Sequence, residues 1–400
     1  MSLDSDLNQR LNVLREQNLF RELRCVESPQ SPHIQVDGKT LLNFSSNDYL
    51  GLANHPALKA AAIHVIEKFG AGSGASRLIC GSLAPFHELE TALAQFKQTE
   101  AALTFSTGYA AVTGTICALL SKDDIIIVDK LVHACIVDAA KLSGAKIRVF
   151  AHNDLGDLEN KLKWAVDIAT LAPGEGLGKG ALKVKSRALI VTESIFSMDG
   201  DAAPLREIVA LKEKYGAWLM VDEAHATGII GKNGRGLAEQ LGVSDQIEIQ
   251  MGTLGKALGA SGGFICGSRT LIDFLVNRAR SFIFSTAPVP AAAAAATAGI
   301  QLAQSAEGEK RRQQLQSLIK QLQPATPGAI IPIILGDEAR AMDAAAKLRE
   351  QDIFVPAIRY PTVARGAARL RVTLSAAHSA EDVARLIAAL KALDISTTPE

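Results

Sequence analysis

Residues 217–225 read AWLMVDEAH, a run of apolar residues that ends in two acids and a histidine. Because the apolar residues are consecutive rather than alternating, the run predicts a strand covered on both faces, as in a parallel sheet wrapped by helices. Runs of the same kind occur on both sides of it along the chain: ALTF (102–105), DIIIVD (124–129), IRVF (147–150), ALIVTE (188–193), IEIQMGT (247–253) and GGFICG (262–267). Longer helical stretches separate these runs, so we predict an α/β fold whose ligands bind where the strands end in loops.

The sequence changes character after Pro290. An alanine-rich stretch and a charged stretch come first, and a short apolar segment and two more helical stretches follow. We therefore predict an N-terminal helix and arm over 1–44, a large ligand-binding domain over 45–287 and a smaller α/β domain over 288–400. The Gly-rich, basic stretch 171–186 is predicted to be an exposed loop.

Composition and charge argue against several classes of function. Lys plus Arg and Asp plus Glu number 42 each in 400 residues, so no net positive field draws the chain to nucleic acid or to an anionic membrane. The N-terminal stretch mixes charges with leucine at helical spacing, a pattern that differs from a signal peptide. Five scattered cysteines show no CxxC spacing, which argues against a disulfide framework and a metal site. We expect a cytoplasmic protein that acts on a small molecule.

The letters DEAH in residues 222–225 allow two other interpretations. Asp222 could simply cap a helix, with His225 beside it by chance. DEAH is also the acidic box of a helicase-type ATPase, but that box works with a phosphate loop, GxxxxGK[ST], which this sequence lacks. The hypothesis of a nucleotide-hydrolysing motor is therefore supported only by the four residues DEAH. The hypothesis of a dehydrogenase is supported only by scattered glycines.

Lys256 stands among glycines in GTLGKALG (252–259), at the end of another apolar run. Ala257 follows it where a phosphate loop needs Ser or Thr, so the segment is not a Walker A motif. A partly buried lysine tends towards the free amine that forms a Schiff base, although an isolated loop lysine is usually solvated. An acid at one strand end and a lysine after the next strand match the chemistry of pyridoxal phosphate. In that chemistry Asp222 keeps the pyridine nitrogen protonated and Lys256 binds the aldehyde carbon.

A phosphate site is predicted where FSTGYAAV (105–112) leads from a strand into a helix. The backbone N–H groups of Gly108 and Tyr109 and the hydroxyl of Thr107 would surround an anion at the helix N-terminus. Such a helix end contributes only about 0.3–1 kcal/mol when exposed, so further hydroxyls are needed, and Thr253 is well placed to supply one. A plain helix cap is the alternative.

Two further residues are candidates by position. His133 lies where DIIIVD leads into a helix, so its ring can lie over a flat ligand at the strand ends, although a surface histidine is usually inert. Arg371, in LRVTLSAAH (370–378), can bind a substrate carboxylate through two parallel hydrogen bonds. The alternative for Arg371 is an ordinary surface arginine on a strand.

The order of these motifs resembles the α-oxoamine synthase family of pyridoxal-phosphate enzymes. The motifs that carry the resemblance are NFSSNDYLGL (43–52), GSGASRL (72–78), TESIFSMDGD (192–201), VDEAHATG (221–228), GTLGKALG (252–259) and FIFSTAPVPA (282–291). The resemblance runs from Leu19 to the C-terminus. It implies the aspartate-aminotransferase scaffold, fold type I, with a mostly parallel sheet in a large domain and a smaller C-terminal α/β domain.

The resemblance also implies a catalytic role for four residues. Lys256 would hold the cofactor, pyridoxal 5'-phosphate, and Asp222 would pair with its pyridinium. His133 would stack on the ring, and His225 would donate to the phenolic oxygen. The other implied cofactor contacts are Ser197 and, around the phosphate, Thr107, Gly108, Tyr109, Thr253 and, from a neighbouring subunit, Ser285 or Thr286.

The sites of the family lie at a dimer interface, so the resemblance implies a homodimer. It assigns substrate binding to Arg21, Asn47, His133, Arg371 and Thr373, with Arg371 as the anchor of a carboxylate. Within the family, NFSSNDYLGL, GSGASRL, FSTAPVPA and LSAAH are most similar to members that join L-alanine to a pimeloyl thioester, carried by coenzyme A or by an acyl carrier protein. Members that use glycine are the alternative.

Overall fold

The protein is described by a computed structural model over residues 2–17, 19–171 and 187–396. Residues 172–186, nearly all of the predicted Gly-rich loop, lie outside the described residues. The strands are, in chain order, β1 His33–Val36, β2 Lys39–Asn43, β3 Ala101–Phe105, β4 Ile125–Asp129, β5 Lys146–Phe150, β6 Ala188–Glu193, β7 Trp218–Asp222, β8 Ile249–Thr253, β9 Gly263–Gly267, β10 Ile330–Gly336, β11 Ile353–Phe354, β12 Ala357–Ile358 and β13 Ala368–Thr373.

The α-helices follow the same numbering along the chain. They are α1 Leu3–Glu16, α2 Pro56–Phe69, α3 Ala84–Lys97, α4 Gly108–Leu119, α5 Ala134–Ser143, α6 Leu155–Leu171, α7 Leu205–Tyr215, α8 Leu237–Leu241, α9 Arg269–Arg278, α10 Arg280–Ile283, α11 Pro290–Gln304, α12 Ala306–Leu322, α13 Glu338–Glu350 and α14 Ala380–Ala392. Among the described residues, no helix has both the length and the apolar content needed to cross a lipid bilayer.

Seven strands form one sheet in the order β3-β9-β8-β7-β6-β4-β5. From β8 to β5 each strand is parallel to its neighbour, and β9 is antiparallel to both β3 and β8. Each of the seven apolar runs that the sequence analysis identified forms one of these strands. The prediction of a mostly parallel α/β sheet is therefore confirmed.

The middle of this sheet is buried on both faces. Ile126 and Ile127 on β4 are both fully buried, and successive side chains of a strand point to opposite faces. This is why the strands read as continuous apolar runs. The parallel arrangement also brings the carboxyl ends of β4, β6, β7 and β8 to one edge of the sheet, where their last residues are Asp129, Glu193, Asp222 and Thr253.

The chain divides into two compact units. The larger unit consists of Ser46–Ile331 and Thr373–Ala380 and contains the seven-stranded sheet. The smaller unit consists of Met1–Ser45, Pro332–Val372 and Glu381–Glu400. Its strands belong to two three-stranded sheets, β1-β2-β11 and β10-β13-β12.

This division differs from the predicted boundaries at three points. One is that Thr373–Ala380, within the predicted small domain, belongs to the larger unit. The arm 1–44 belongs to the smaller unit, because β2 pairs in parallel with β11 and the Leu42 amide donates to the Asp352 carbonyl at 2.8 Å. Helices α11 and α12 belong to the larger unit, because α11 packs on α2 and α3. These differences come from contacts between segments far apart in the chain, which local sequence patterns do not reveal.

Candidate active site

Asp222 is the last residue of β7 and is only 6% exposed. Its Oδ1 accepts a hydrogen bond from the Ala224 amide at 2.8 Å, which fixes the turn after the strand. Burial raises the pKa of the Asp222 carboxyl, whereas the positive charges of Lys256 and His133 oppose that rise. A cationic group placed against this carboxylate would therefore stabilise its charged form.

Lys256 lies in the loop that follows β8, and its Nζ is 2.7 Å from Nε2 of the buried His225. Strands β7 and β8 are neighbours and end at the same edge of the sheet. The structure therefore brings together the acid, the histidine and the lysine that the sequence analysis singled out. Lys256 is close enough to Asp222 for its charge to lower the pKa of that carboxyl.

The loop that carries Lys256 is held by hydrogen bonds and by a close backbone contact. The hydroxyl of Thr253 donates to the Gly262 carbonyl at 3.0 Å, and its oxygen accepts from the Gly255 amide at 3.2 Å. Gly259 has a φ of +68°, and a Cβ there would lie 2.6 Å from the carbonyl carbon of Leu52, so only glycine fits. The lysine is thus held on a fixed turn packed against the segment that follows Asn47.

His133 is the N-cap of α5 and is exposed to solvent at the strand ends. Its Nδ1 accepts from the Cys135 amide at 3.2 Å, so the neutral ring carries its proton on Nε2. Partial desolvation lowers the pKa of His133, although the charge of Asp222 opposes this. The neutral ring is suited to lie over a flat heterocycle and to donate a hydrogen bond through Nε2.

Glu193 is a site residue that the sequence analysis missed. It ends β6 directly beside Asp222 on β7 and is 2% exposed. Its carboxylate accepts from the backbone amides of His133 at 2.5 Å and of Ser197 at 3.2 Å. Burial and the neighbouring charge of Asp222 raise the pKa of Glu193 to about 8. The signal was present in the sequence, because Glu193 ends one of the predicted strands, as Asp222 does.

The predicted phosphate site lies at the N-terminus of α4. The Thr107 side chain caps this helix by accepting from the Ala110 amide at 3.0 Å, which leaves its hydroxyl proton for another partner. A Cβ at Gly108 would lie 3.0 Å from Cε of Met251 and 4.0 Å from Cβ of Thr253. The absence of a side chain at Gly108 therefore allows the N-terminus of α4 to lie close to β8. The Tyr109 side chain is half exposed, and its hydroxyl donates to Asp138 at 2.9 Å.

These groups fit the cofactor that the sequence analysis expected. A helix N-terminus with nearby hydroxyls suits a phosphate dianion, and a buried carboxylate suits a protonated ring nitrogen. A primary amine at Lys256 suits an aldehyde, and the His133 ring suits one face of a heterocycle. The observation that carries this fit is the buried Asp222 at the end of β7, next to the strand β8 that leads into the Lys256 loop.

Ser197 lies next to Glu193, and Asn47 is connected to His225 through Tyr49. Ser197 is held through its amide by Glu193, and Asn47 Oδ1 is 3.1 Å from the hydroxyl of Tyr49, which contacts His225. Thr373, the last residue of β13, is 1% exposed and belongs to the same unit.

Arg21 and Arg371 belong to the smaller unit, and their roles towards substrate stay predictions. Arg21 is exposed, and its Nη2 donates to Oγ1 of Thr362 at 3.5 Å. Arg371 on β13 is 6% exposed, so the alternative of an ordinary surface arginine is wrong.

Ser285 and Thr286 lie next to the glycine-rich segment 72–78. The Ala287 amide donates to the Ala75 carbonyl at 3.0 Å, and Ser76 forms a bridge with Thr286. The hydroxyl of Ser285 donates to the Thr286 carbonyl at 3.1 Å within the same segment. Their predicted contact with the phosphate of a neighbouring subunit stays a prediction.

A buried ion pair supports the loop that contains Asp222 and His225. Lys97 and Glu223 contact each other with both side chains 1% exposed, and Glu223 also accepts from the Ala238 amide at 3.0 Å. Removing one partner of such a pair typically costs about 3–5 kcal/mol, because the other charge stays buried and unpaired. The pair therefore anchors the residue that directly follows Asp222.

His152 connects two further carboxylates near the strand ends. Its Nδ1 is 2.9 Å from Asp129 and its Nε2 is 2.8 Å from Asp201, and its ring packs edge-on against Phe196 at 4.4 Å between centroids. Burial lowers the pKa of His152, but the hydrogen bonds and charges of Asp129 and Asp201 outweigh it and raise the pKa to about 10. The imidazolium thus fixes the segment that carries Ser197.

We expect His152→Gln to lower the free energy of unfolding by about 1.5–3 kcal/mol near pH 6, because two hydrogen bonds to charged groups are weakened. Since the pKa is about 10 in the folded chain and 6.5 in the unfolded chain, the charge contribution is full below pH 6.5 and is lost as the pH rises towards 10. Urea unfolding of both proteins across this pH range measures the difference. His64→Gln, at an exposed position of α2, is the control. A difference that stays constant with pH would contradict the charged imidazole.

A cavity of about 500 Å³ lies at the opposite edge of the sheet. It is lined by the first residues of β7 and β8, Trp218 and Ile249, together with Glu100 and Glu248. The two acids already accept hydrogen bonds at 2.8 Å, from the amides of Arg269 and Leu219 respectively. This cavity is therefore separate from the candidate active site at the carboxyl ends of the strands.

Comparisons with known proteins agree with this arrangement. A family model described as aminotransferase class I and II matches residues 39–390. An 8-amino-7-oxononanoate synthase from Geotalea daltonii is 46% identical over 392 residues, which cover 96% of this chain and 96% of that protein.

Two solved structures are similar over most of their length. The structure of SPT with its PLP internal aldimine has a TM-score of 0.88 at 29% identity, and the match covers 99% of this chain and 100% of that one. An 8-amino-7-oxononanoate synthase from Francisella tularensis has a TM-score of 0.72 at 27% identity, and the match covers 88% of this chain and 98% of that one.

Proposed function

This chain belongs to the family of class I and II aminotransferases, and from that membership we propose that it is a pyridoxal-phosphate-dependent acyltransferase. The reaction joins L-alanine to a pimeloyl thioester and gives 8-amino-7-oxononanoate, carbon dioxide and the free thiol, a step of biotin biosynthesis. The acyl group is carried by coenzyme A or by an acyl carrier protein. The relatives named 8-amino-7-oxononanoate synthase support this reaction.

One observation in the structure carries the proposal. Asp222 ends β7, Lys256 follows the neighbouring parallel strand β8, and His225, three residues after Asp222, lies 2.7 Å from the lysine. Pyridoxal 5'-phosphate supplies an electron sink for the electron pair that remains when a bond to the α-carbon of the amino acid breaks. Asp222 would hold the ring nitrogen in its protonated form, because a buried carboxylate favours a cationic partner.

Lys256 would act on the α-proton of alanine, and the two histidines would form hydrogen bonds with oxygen atoms of the cofactor and of the acyl group. The Lys256 amine would hold the cofactor through its aldehyde carbon and would serve as the base for the α-proton of alanine. His225, whose Nε2 is 2.7 Å from that amine, would donate a hydrogen bond to the phenolic oxygen of the cofactor. His133 carries a proton on Nε2 and orients the acyl carbonyl, while Glu193 fixes its backbone.

The other predicted cofactor contacts keep their roles in the proposal. Thr107, Gly108, Tyr109 and Thr253 would hold the phosphate, and Ser197 would contact the ring. The substrate contacts predicted from the resemblance are Arg21, Asn47, Arg371 and Thr373.

We propose that the protein is a homodimer in which Ser285 or Thr286 of one copy reaches the phosphate bound by the other. An exposed apolar surface in this region supports the proposal. Ile79 is 79% exposed, Phe284 is 72% exposed and Val289 is 50% exposed, and the bridge between Ser76 and Thr286 brings their two segments side by side. Exposed apolar residues at one place are typical of an interface. The cytoplasmic location stays a prediction.

The release of carbon dioxide and free thiol tests the function. We expect the purified protein with cofactor to convert alanine and pimeloyl thioester at least about 10-fold faster than glycine and the same thioester, because the methyl group of alanine fills an apolar contact. Acetyl and succinyl thioesters are compared in the same assay, and pimeloyl-coenzyme A is compared with the pimeloyl carrier protein. A preference for glycine with acetyl-coenzyme A would instead support a 2-amino-3-ketobutyrate ligase, the glycine-using alternative.

A further inference from the structure

Tyr49 is buried next to His225, although the sequence analysis gave it no role. Its side chain is 0% exposed, and its hydroxyl oxygen is 2.6 Å from Nδ1 of His225. The same hydroxyl can also donate to Oδ1 of Asn47, which lies 3.1 Å away. The other ring nitrogen of His225, Nε2, is 2.7 Å from Nζ of Lys256. Tyr49 is therefore connected to the lysine through one imidazole ring.

The backbone around Tyr49 is held in place from several sides. The Asp48 carboxylate accepts from the amides of Leu52 at 2.7 Å and Ala53 at 3.0 Å. The Ala376 amide donates to the Tyr49 carbonyl at 2.8 Å, and Arg311 donates to the Leu50 carbonyl at 2.9 Å. The phenol thus has a fixed position from which to orient the imidazole.

The length of the contact indicates which atom holds the proton. A distance of 2.6 Å between Tyr49 and Nδ1 of His225 lies within the range of O–H donors, about 2.5–3.0 Å, and below the range of N–H donors, about 2.7–3.2 Å. The phenol has one proton and two possible acceptors, Nδ1 of His225 at 2.6 Å and Oδ1 of Asn47 at 3.1 Å, and the shorter contact assigns the proton to Nδ1. A neutral imidazole that accepts at Nδ1 carries its own proton on Nε2.

We propose that Tyr49 is a positioning residue for His225, which keeps the proton of the neutral imidazole on Nε2, the nitrogen that faces Lys256. In this arrangement the lysine nitrogen accepts through its lone pair, which is the form of an amine that attacks an aldehyde. The same Nε2–H can donate to an oxygen of the cofactor. The catalytic consequence rests on the proposed function, but the proton position does not, because it can be measured without substrate.

The proton position is tested by NMR of protein labelled with ¹⁵N-histidine and purified with and without pyridoxal phosphate. Long-range ¹H–¹⁵N spectra distinguish protonated from unprotonated ring nitrogens, and the loss of one signal in His225→Asn assigns His225. We expect the wild-type protein to show a protonated Nε2 and an unprotonated Nδ1 near neutral pH. In Tyr49→Phe we expect a mixture with the other tautomer. Tyr215→Phe is the matched control, since Tyr215 ends α7 and its hydroxyl donates to Glu159 on α6.

Turnover gives the second measurement. We expect Tyr49→Phe to lower kcat about 10-fold and to leave KM for alanine within about twofold, because it removes orientation of His225 rather than substrate binding. A wild-type His225 protonated on Nδ1, or a Tyr49→Phe spectrum identical to that of the wild type, would overturn the proposal. The wild-type spectrum decides the question even if the variant does not fold. An expected spectrum in a protein that does not turn over alanine would overturn the proposed function and leave the role of Tyr49 standing.

Discussion

Replacing Lys256 with alanine is expected to lower kcat by about 10⁴-fold, the largest effect of any single substitution considered. The variant loses both the amine that binds the aldehyde and the base that removes the α-proton of alanine, and general base catalysis alone accounts for about 10²–10⁴-fold. Cofactor should still bind, because Asp222 and the N-terminus of α4 are unchanged. Borohydride should then fix no cofactor to the protein.

Turnover and the borohydride-fixed cofactor are measured together, by carbon dioxide release and by mass spectrometry of the intact protein. Lys130→Ala is the control, since Lys130 is exposed just beyond the end of β4. We expect the control to keep both turnover and the adduct. An adduct of unchanged yield in Lys256→Ala would mean that another lysine holds the cofactor.

Replacing Asp222 with asparagine is expected to lower kcat by about 10²–10³-fold while the cofactor stays bound. The substitution keeps the shape of the side chain and the oxygen that accepts from the Ala224 amide at 2.8 Å. It removes the negative charge that keeps the ring nitrogen protonated. The loss of one electrostatic contact of this kind lowers kcat by about 10²–10³-fold.

The cofactor content of Asp222→Asn is read from its visible absorbance, and its rate from thiol release. Asp245→Asn, an exposed acid beside the cavity at the opposite edge of the sheet, is the control and should behave like the wild type. A near-normal kcat in Asp222→Asn would count against the pairing of Asp222 with the ring nitrogen. A variant that no longer retains cofactor would show that Asp222 serves binding rather than rate.

The fold could be predicted from local patterns because the central strands are covered on both faces. Such burial requires consecutive apolar residues, so each of the seven strands of the large sheet could be identified from the sequence. Position at a strand end then pointed to Asp222, Lys256 and His133, since parallel strands end at one edge of the sheet. Glu193 also ends a strand at this edge. Its role is shown only by the structure, in which its carboxylate accepts hydrogen bonds from the His133 and Ser197 amides.

The features that the sequence did not reveal depend on contacts between distant segments. Tyr49 and His225 are 176 residues apart, and nothing near either residue indicates their hydrogen bond. The pairing of β2 with β11 likewise connects segments that are far apart in the chain, and it places the arm 1–44 in the smaller unit. Such pairings follow from tertiary packing rather than from local propensity.

The central claim is that Asp222 and Lys256 hold opposite ends of one pyridoxal phosphate molecule. A crystal structure of the protein purified with this cofactor tests it most directly. We predict continuous density from the Lys256 nitrogen to the aldehyde carbon, with the ring nitrogen within about 3 Å of an Asp222 oxygen, the distance of a charge-assisted hydrogen bond. A cofactor bound elsewhere, or a ring whose nitrogen faces away from Asp222, would contradict the account.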